Sequence, residues 1–148
     1  MPTPPAFIVR PAGWRTSHHA LHALRRIVFI EEQQVPEALE WDDDDERSRH
    51  VLALSVHGEP IGTGRLLPDG HIGRMAVLRE WRGKGVGSAI LRALLDLARQ
   101  DGLHLIRLNA QTHALGFYAR HGFTIVGDEF IEAGIPHREM QLRLFGIT

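Results

Sequence analysis

The chain contains no cysteine among its 148 residues, which excludes disulfides, cysteine-ligated zinc, iron–sulfur clusters and a thiol nucleophile. Net charge is also nearly absent. Seventeen Lys+Arg against eighteen Asp+Glu leave a formal charge of −1, which argues against non-specific nucleic-acid binding. No apolar run reaches the length of about eighteen residues expected of a membrane helix. Met1 to Arg10 lacks the basic-then-apolar pattern of a signal peptide. What is present is ordinary: 43% apolar and 24% charged residues, enough for a core without staples. One soluble domain spanning residues 1–148, in the cytoplasm and with no membrane partner, is the expectation.

Met1-Pro2-Thr3-Pro4-Pro5 lacks amide donors at three positions and reads as a disordered leader, 1–5. Ala6 to Arg10 suits an edge strand. Thr16 or Ser17 can cap a helix running to about Gln33, with Leu21, Leu24, Val28 and Phe29 on its inner face. Pro36 closes that region. Glu37 to Glu46 carries seven acids and no base, which reads as a solvated loop able to steer a cation. Strands are predicted over Val51–Val56, Ile61–Leu67 and His71–Leu78, separated by turns at Gly58-Glu59-Pro60 and Pro68-Asp69-Gly70. A strongly amphipathic helix follows over Lys84–Gln100, stopped by Gly102. Leu103–Ala110 is a strand, His113–Arg120 a short helix, and Phe123–Val126 and Arg138–Leu144 the last strands. The order β-α-β-β-β-α-β-α-β-β describes a mixed α/β domain, helices packed on a sheet.

The most informative stretch is Arg82-Gly83-Lys84-Gly85-Val86-Gly87-Ser88, between an apolar strand and the amphipathic helix. A helix N-terminus presents unpaired amides and partial positive charge, so it favours phosphate oxygens. Glycines let the backbone approach a ligand, and Arg82 and Lys84 add cationic charge. A P-loop needs Ser or Thr after its lysine, whereas Gly85 follows Lys84. A dinucleotide fingerprint begun at Gly83 needs Gly or Ala where Ser88 stands. Neither pattern fits.

The motif instead resembles the Arg/Gln-x-x-Gly-x-Gly/Ala signature of the GCN5-related N-acetyltransferases, the GNAT superfamily. Ala114-Leu115-Gly116-Phe117-Tyr118-Ala119-Arg120-His121-Gly122-Phe123 resembles a later segment of that family, which ends in Phe-Tyr-x-x-x-Gly-Phe. Within it the chain is similar to the ElaA-like subgroup, through Arg26 to Pro36, Trp41 to Asp45, His50, Gly62-Thr63-Gly64-Arg65, Gly73 to Val77, Ala110-Gln111, and Gly134-Ile135-Pro136-His137 with Met140. The resemblance implies a mostly antiparallel sheet of six to seven strands, splayed between strands 4 and 5, with about four helices. It implies acetyl-CoA as cosubstrate, its pyrophosphate on Arg82, Gly83, Lys84, Gly85, Val86, Gly87 and Ser88. Its pantetheine arm would lie along Met75, Ala76 and Val77, with Asn109, Phe117 and Tyr118 nearby.

Tyr118, the only tyrosine, takes the role of general acid under the same resemblance. A phenol keeps its proton at neutral pH and can donate as charge develops on the departing sulfur. The acceptor is expected to be a primary amine of a small molecule or a peptide, which must lose a proton. Candidates to receive it, directly or through water, are Glu31, Glu32, His71, Asn109, Glu132 and His137. Glu32 and Asn109 are set down as catalytic, and Glu31, Glu32, Gln111 and His137 as substrate-binding. His18 and His22 lack a third ligand, and no glycine lies between Gly13 and Gly58 to form an EF-hand, so no metal is expected. Alternative readings are a non-catalytic acyl-CoA-binding or regulatory domain and an acyl-homoserine-lactone-synthase-like acyltransferase. The assembly it allows is a homodimer.

Overall fold

A computed structural model describes residues 6–144, so the expected leader lies outside the described residues. Eight strands form one sheet: β1 (Phe7–Ala12), β2 (Arg49–Ser55), β3 (Pro60–Leu66), β4 (His71–Val77), β5 (Leu105–Gln111), β6 (Thr124–Ile125), β7 (Phe130–Glu132) and β8 (Ile135–Arg143). They lie in the order β1-β2-β3-β4-β5-β8-β6, with β7 also paired to β8. The strand beyond the expected six to seven is β7. Three residues, two of them exposed, carry no period from which a strand can be read.

The α-helices are α1 (Trp14–Arg25), α2 (Glu37–Glu40), α3 (Val86–Gln100) and α4 (Leu115–Arg120). Strand alternation sorts them onto two faces. Val51 and Ala53 of β2 pack into one core cluster with Ile90, Leu91 and Leu94 of α3. Leu52 and Leu54 pack with Leu21 and Leu24 of α1 on the other side. Helix α3 lies so close to β3 that a Cβ on Gly62 or Gly64 would stand 2.8 Å from Ile90. Ile106, Leu108 and Ala110 of β5 join the α3 cluster, which turns Asn109 and Gln111 to the α1 face.

Helix α1 ends eight residues before Gln33, and its N-cap is Gly13 rather than Thr16 or Ser17. Ser17 already donates its amide to Gly13 O, and the Thr16 hydroxyl bonds the same carbonyl. From Arg26 to Glu32 the chain widens into a π-helix, with Gln33 N donating to Val28 O at 3.1 Å. Gln34 takes φ +59° and turns the chain away before Pro36.

Strands β4 and β5 run parallel, yet only His71↔Arg107 and Ile72↔Leu108 pair. Beyond them Arg74, at φ +51°, forms a bulge where the β3–β4 register also shifts. A bulge bends its strand and increases its twist, so β4 leaves β5 at this point. The split opens a cavity of about 1140 Å³ through the centre of the sheet.

The acidic segment is not a solvated loop. Glu40 and Asp45 are 3% and 4% exposed. Arg25 of α1 bonds Glu40 and Asp45, each at 2.9 Å, and Arg65 of β3 bonds Asp42 at 2.8 Å and Asp45 at 3.1 Å. Arg74 reaches Glu40 and Asp42, each at 3.1 Å. Three arginines from three elements thus neutralise three carboxylates, as burial of charge requires. Only Glu37, Asp43, Asp44 and Glu46 are left for the outer surface, which weakens the steering expectation.

Candidate active site

The glycine-rich loop enters α3 at Gly85, which is left-handed at φ +85°, and Gly83 is left-handed at +73°. No carbonyl or side chain among the described residues accepts a hydrogen bond from the amides of residues 83–88. A Cβ at Gly83 or Gly85 would meet nothing within 4 Å, and both residues are exposed, so the loop is open to solvent. Six unused donors at the start of a 15-residue helix make a strong cradle for an anion.

The side chains of the loop are engaged elsewhere. Arg82 binds both oxygens of Glu32, at 2.6 and 2.8 Å, and donates to Val77 O at 3.0 Å. Its guanidinium braces the loop against the π-helix instead of reaching freely for an anion. Lys84 Nζ lies 5.5 Å over the Trp81 ring. Val86 is buried in the core. Ser88 Oγ is 3.0 Å from His121 Nε2, a contact that sequence spacing did not suggest. Gly87 sits beside the Phe117 ring.

Strand alternation continues into the split. Leu78 donates to Ile61 O of β3, so Val77 and Met75 turn their backbone groups towards the gap, while Ala76 is buried. Arg82 occupies Val77 O. Across the gap stand Leu108, Asn109, Gln111 and Tyr118. The Tyr118 hydroxyl donates to Met75 Sδ at 3.6 Å, and its ring meets Phe117 edge-on. Burial pushes the phenol up to about 12. It therefore remains protonated and aims its O–H at a soft sulfur in the mouth of the split.

The candidate bases separate. Glu32 lines the cavity, but its hydrogen bonds from Arg82 hold its carboxyl below the usual range, which makes it a poor proton acceptor. Glu31 lies outside this cavity, in a shallow depression with Ile27, Glu32, Arg79 and Glu80. Asn109 lines the cavity. Gln111 donates to Gln33 Oε1 at 3.0 Å, tying β5 to the end of the π-helix. His71, Glu132 and His137 line the wall as well. Arg65 and Arg74, absent from the candidates above, complete the floor with Glu40. Their signal was a charge at an interior strand position, which must find a counter-ion.

Comparison with known proteins agrees with this geometry. A family model described as "Acetyltransferase (GNAT) domain" matches residues 20–144. The chain is 40% identical over 121 residues to the uncharacterized N-acetyltransferase YjcF of Bacillus subtilis (strain 168), covering 79% of this chain and 86% of the relative. A solved putative N-acetyltransferase from Lactobacillus plantarum superposes with a TM-score of 0.86 at 26% identity, over 95% of this chain and 99% of that one. Escherichia coli ElaA gives 0.80 at 28% identity, over 90% and 98%.

Proposed function

Because the chain belongs to the GNAT acetyltransferase family, an acyl-CoA-dependent acyltransferase family, we propose that it moves an acetyl group from acetyl-CoA to a primary amine of a small molecule or peptide. The observation that carries this reading is the succession of three features. The amides of residues 83–88, without an acceptor among the described residues, follow closely on β4; β4 parts from β5 beyond Ile72; and Tyr118 lines the resulting cavity with its hydroxyl on Met75 Sδ. A diphosphate matches the first, an extended arm the free edge of β4, and a thioester sulfur the third.

Each residue then has a task. The amides of residues 83–88 bind the diphosphate, and Met75 and Val77 offer backbone groups along the arm. Glu32 and Arg82 hold loop and π-helix at a fixed spacing. Tyr118 donates a hydrogen bond to the sulfur as it gains charge. Burial raises the phenol well above a free thiol, which favours a hydrogen bond to the departing sulfur over complete proton transfer. Tyr118 thus stabilises the leaving group by hydrogen bonding, the kind of positioned donor that lowers a transition state by a few kcal/mol. The missing thiol side chain fits direct transfer without an acyl-enzyme.

The test is Tyr118→Phe, assayed by thiol release from acetyl-CoA over a panel of primary amines, with coenzyme A affinity measured by calorimetry. Turnover should fall about 10²-fold or more while affinity stays within a factor of about three. A variant as fast as the parent removes Tyr118 from the chemistry. A parent protein that binds coenzyme A yet acetylates no amine favours a non-catalytic binder.

A further inference from the structure

The β7–β8 hairpin brings two proton acceptors to the cavity wall. Its turn, Ala133-Gly134, holds both residues at positive φ, +51° and +76°, and Ala133 is not a glycine. Such a left-handed alanine is uncommon, and this one lines the cavity. The turn sets Glu132 opposite Ile135 and Phe130 opposite His137, while β5 sets Gln111 on the other side of His137. Directly paired residues share a face, so His137 lies on the α1 face with Gln111. Tyr118 packs with the α3 cluster on the opposite face. His137 and Tyr118 thus flank the split from opposite sides.

The His137 ring is fixed in place. It is 7% exposed and stacked on Phe130, with centroids 5.8 Å apart and planes 20° apart. Nδ1 lies 2.6 Å from Ile135 O. A carbonyl oxygen only accepts, so Nδ1 carries the hydrogen and the lone pair of the neutral ring is on Nε2. Nε2 has no hydrogen-bond partner among the described residues. The atom facing it is Glu132 Oε2, at 3.7 Å, itself an acceptor on a half-exposed side chain. Two acceptors converging without a donor between them form a receptor for an N–H group.

We propose that Glu132 and His137 receive the acceptor as an alkylammonium ion, with His137 Nε2 as the general base that frees its lone pair. This deepens, and rests on, the reading of the protein as an amine acetyltransferase. Nε2 takes one ammonium proton, and Glu132 holds the remaining N–H. The freed nitrogen pair forms the C–N bond at the thioester carbonyl as the C–S bond breaks, and its electrons leave on sulfur against the Tyr118 hydroxyl. A second N–H proton of the acylated nitrogen passes directly to the thiolate, which the Tyr118 hydroxyl holds by its hydrogen bond. The proton on Nε2 is lost to water, so ammonium plus thioester becomes amide, thiol and one released proton. The acceptor class is a primary alkylamine that is charged in water, since lysine-like amines hold their proton to about 10.4.

Two measurements on the full-length protein test the assignment. The first is long-range ¹H–¹⁵N NMR of the histidine rings at neutral pH, with the His137 signals identified by their loss in His137→Gln. The Nδ1–H tautomer is expected; an Nε2–H tautomer overturns the base while leaving acetyl transfer standing. The second compares n-butylamine with O-propylhydroxylamine, its near-isostere, which is uncharged at neutral pH. His137→Gln should lower kcat about 10²-fold or more on butylamine but less than about tenfold on the alkoxyamine. Glu132→Gln, at an exposed position, should raise KM for butylamine about tenfold and that for the uncharged alkoxyamine by less, since only the former loses a charge partner. Equal losses on both substrates in both variants mean a structural role and overturn the proposal. A parent protein that acetylates neither amine overturns the amine-transfer reading and the proposal with it.

Discussion

Replacing Arg25 with Met is the sharpest test of how the acidic segment is held. Arg25 is 1% exposed and makes three bonds, to Glu40 Oε2 and Asp45 Oδ1 at 2.9 Å and to Glu40 O at 3.3 Å. Methionine fills much of the same volume but supplies no donor. Glu40 keeps Arg74 and Asp45 keeps Arg65. Three buried or half-buried carboxylates then face two guanidiniums, and one negative charge is left uncompensated. Breaking a buried pair from one side costs about 3–5 kcal/mol, a third or more of the stability of an ordinary domain.

For a chain of this size about 1 kcal/mol moves the melting midpoint by 2–4 °C, so Arg25→Met should lower Tm by about 6–20 °C. Calorimetry and urea unfolding read this directly. Adding Asp45→Asn removes the surplus charge and should restore part of the loss, because neutralising both sides of a buried pair is far cheaper than stranding one. A single variant whose Tm falls by less than about 2 °C would refute the claim that these carboxylates are buried as ions. A double variant less stable than the sum of its parts would refute the charge-balance argument.

Two further outcomes follow from the same structure. His50 is buried and donates Nε2–H to Asp45 O at 2.8 Å, and desolvation lowers its pKa below 6.5. Between that lowered value and 6.5 the unfolded chain binds more protons, so the contribution of His50 is complete above 6.5 and is lost as pH falls through this window. The urea midpoint should drop between pH 8 and 5.5 by more in the parent than in His50→Gln; equal drops contradict the assignment. Gly85→Val places a branched side chain at φ +85° in the open space before the loop amides. Backbone strain of about 1–2 kcal/mol should lower Tm by about 2–8 °C while coenzyme A affinity falls beyond detection in calorimetry. Unchanged affinity would show that the loop is not the binding cradle.

Much of the scaffold was readable because its signals are local. The apolar period of α3, the glycines before it and the turns between β2, β3 and β4 each occupy consecutive residues, and the structure has them within one or two positions. The proposal of an anion cradle rests on a local signal too, since unpaired amides are a property of any helix start. Where a feature depends on one extra residue in a turn or strand, reading failed. The π-helix at Arg26–Glu32 has the composition of an α-helix, and only its i→i+5 bonds reveal the widening that carries Glu32 and Gln33 to the cavity. The bulge at Arg74 is likewise silent, because arginine has no preference for φ +51°. Yet that bulge parts β4 from β5.

The charge network was hidden by distance along the chain. Its pairs join residues 15, 23 and 34 positions apart, so no window of ordinary length contains both partners. Charge bookkeeping still held a constraint that could have been used. Arg65 and Arg74 sit in strands whose neighbours are apolar or small, and Arg25 sits on the buried stripe of α1. Three cations heading inward need three anions, and one unmatched acidic run lies between them in sequence. Matching the two sets turns Glu40 and Asp45 inward and Asp42 towards the arginines, while the rest of Glu37–Glu46 stays at the surface. It also explains why the segment can floor the cavity without making it acidic. Glu40, Asp42 and Asp45 are spent on arginines, and among the described residues the carboxylate that lines the cavity without an arginine partner is Glu132.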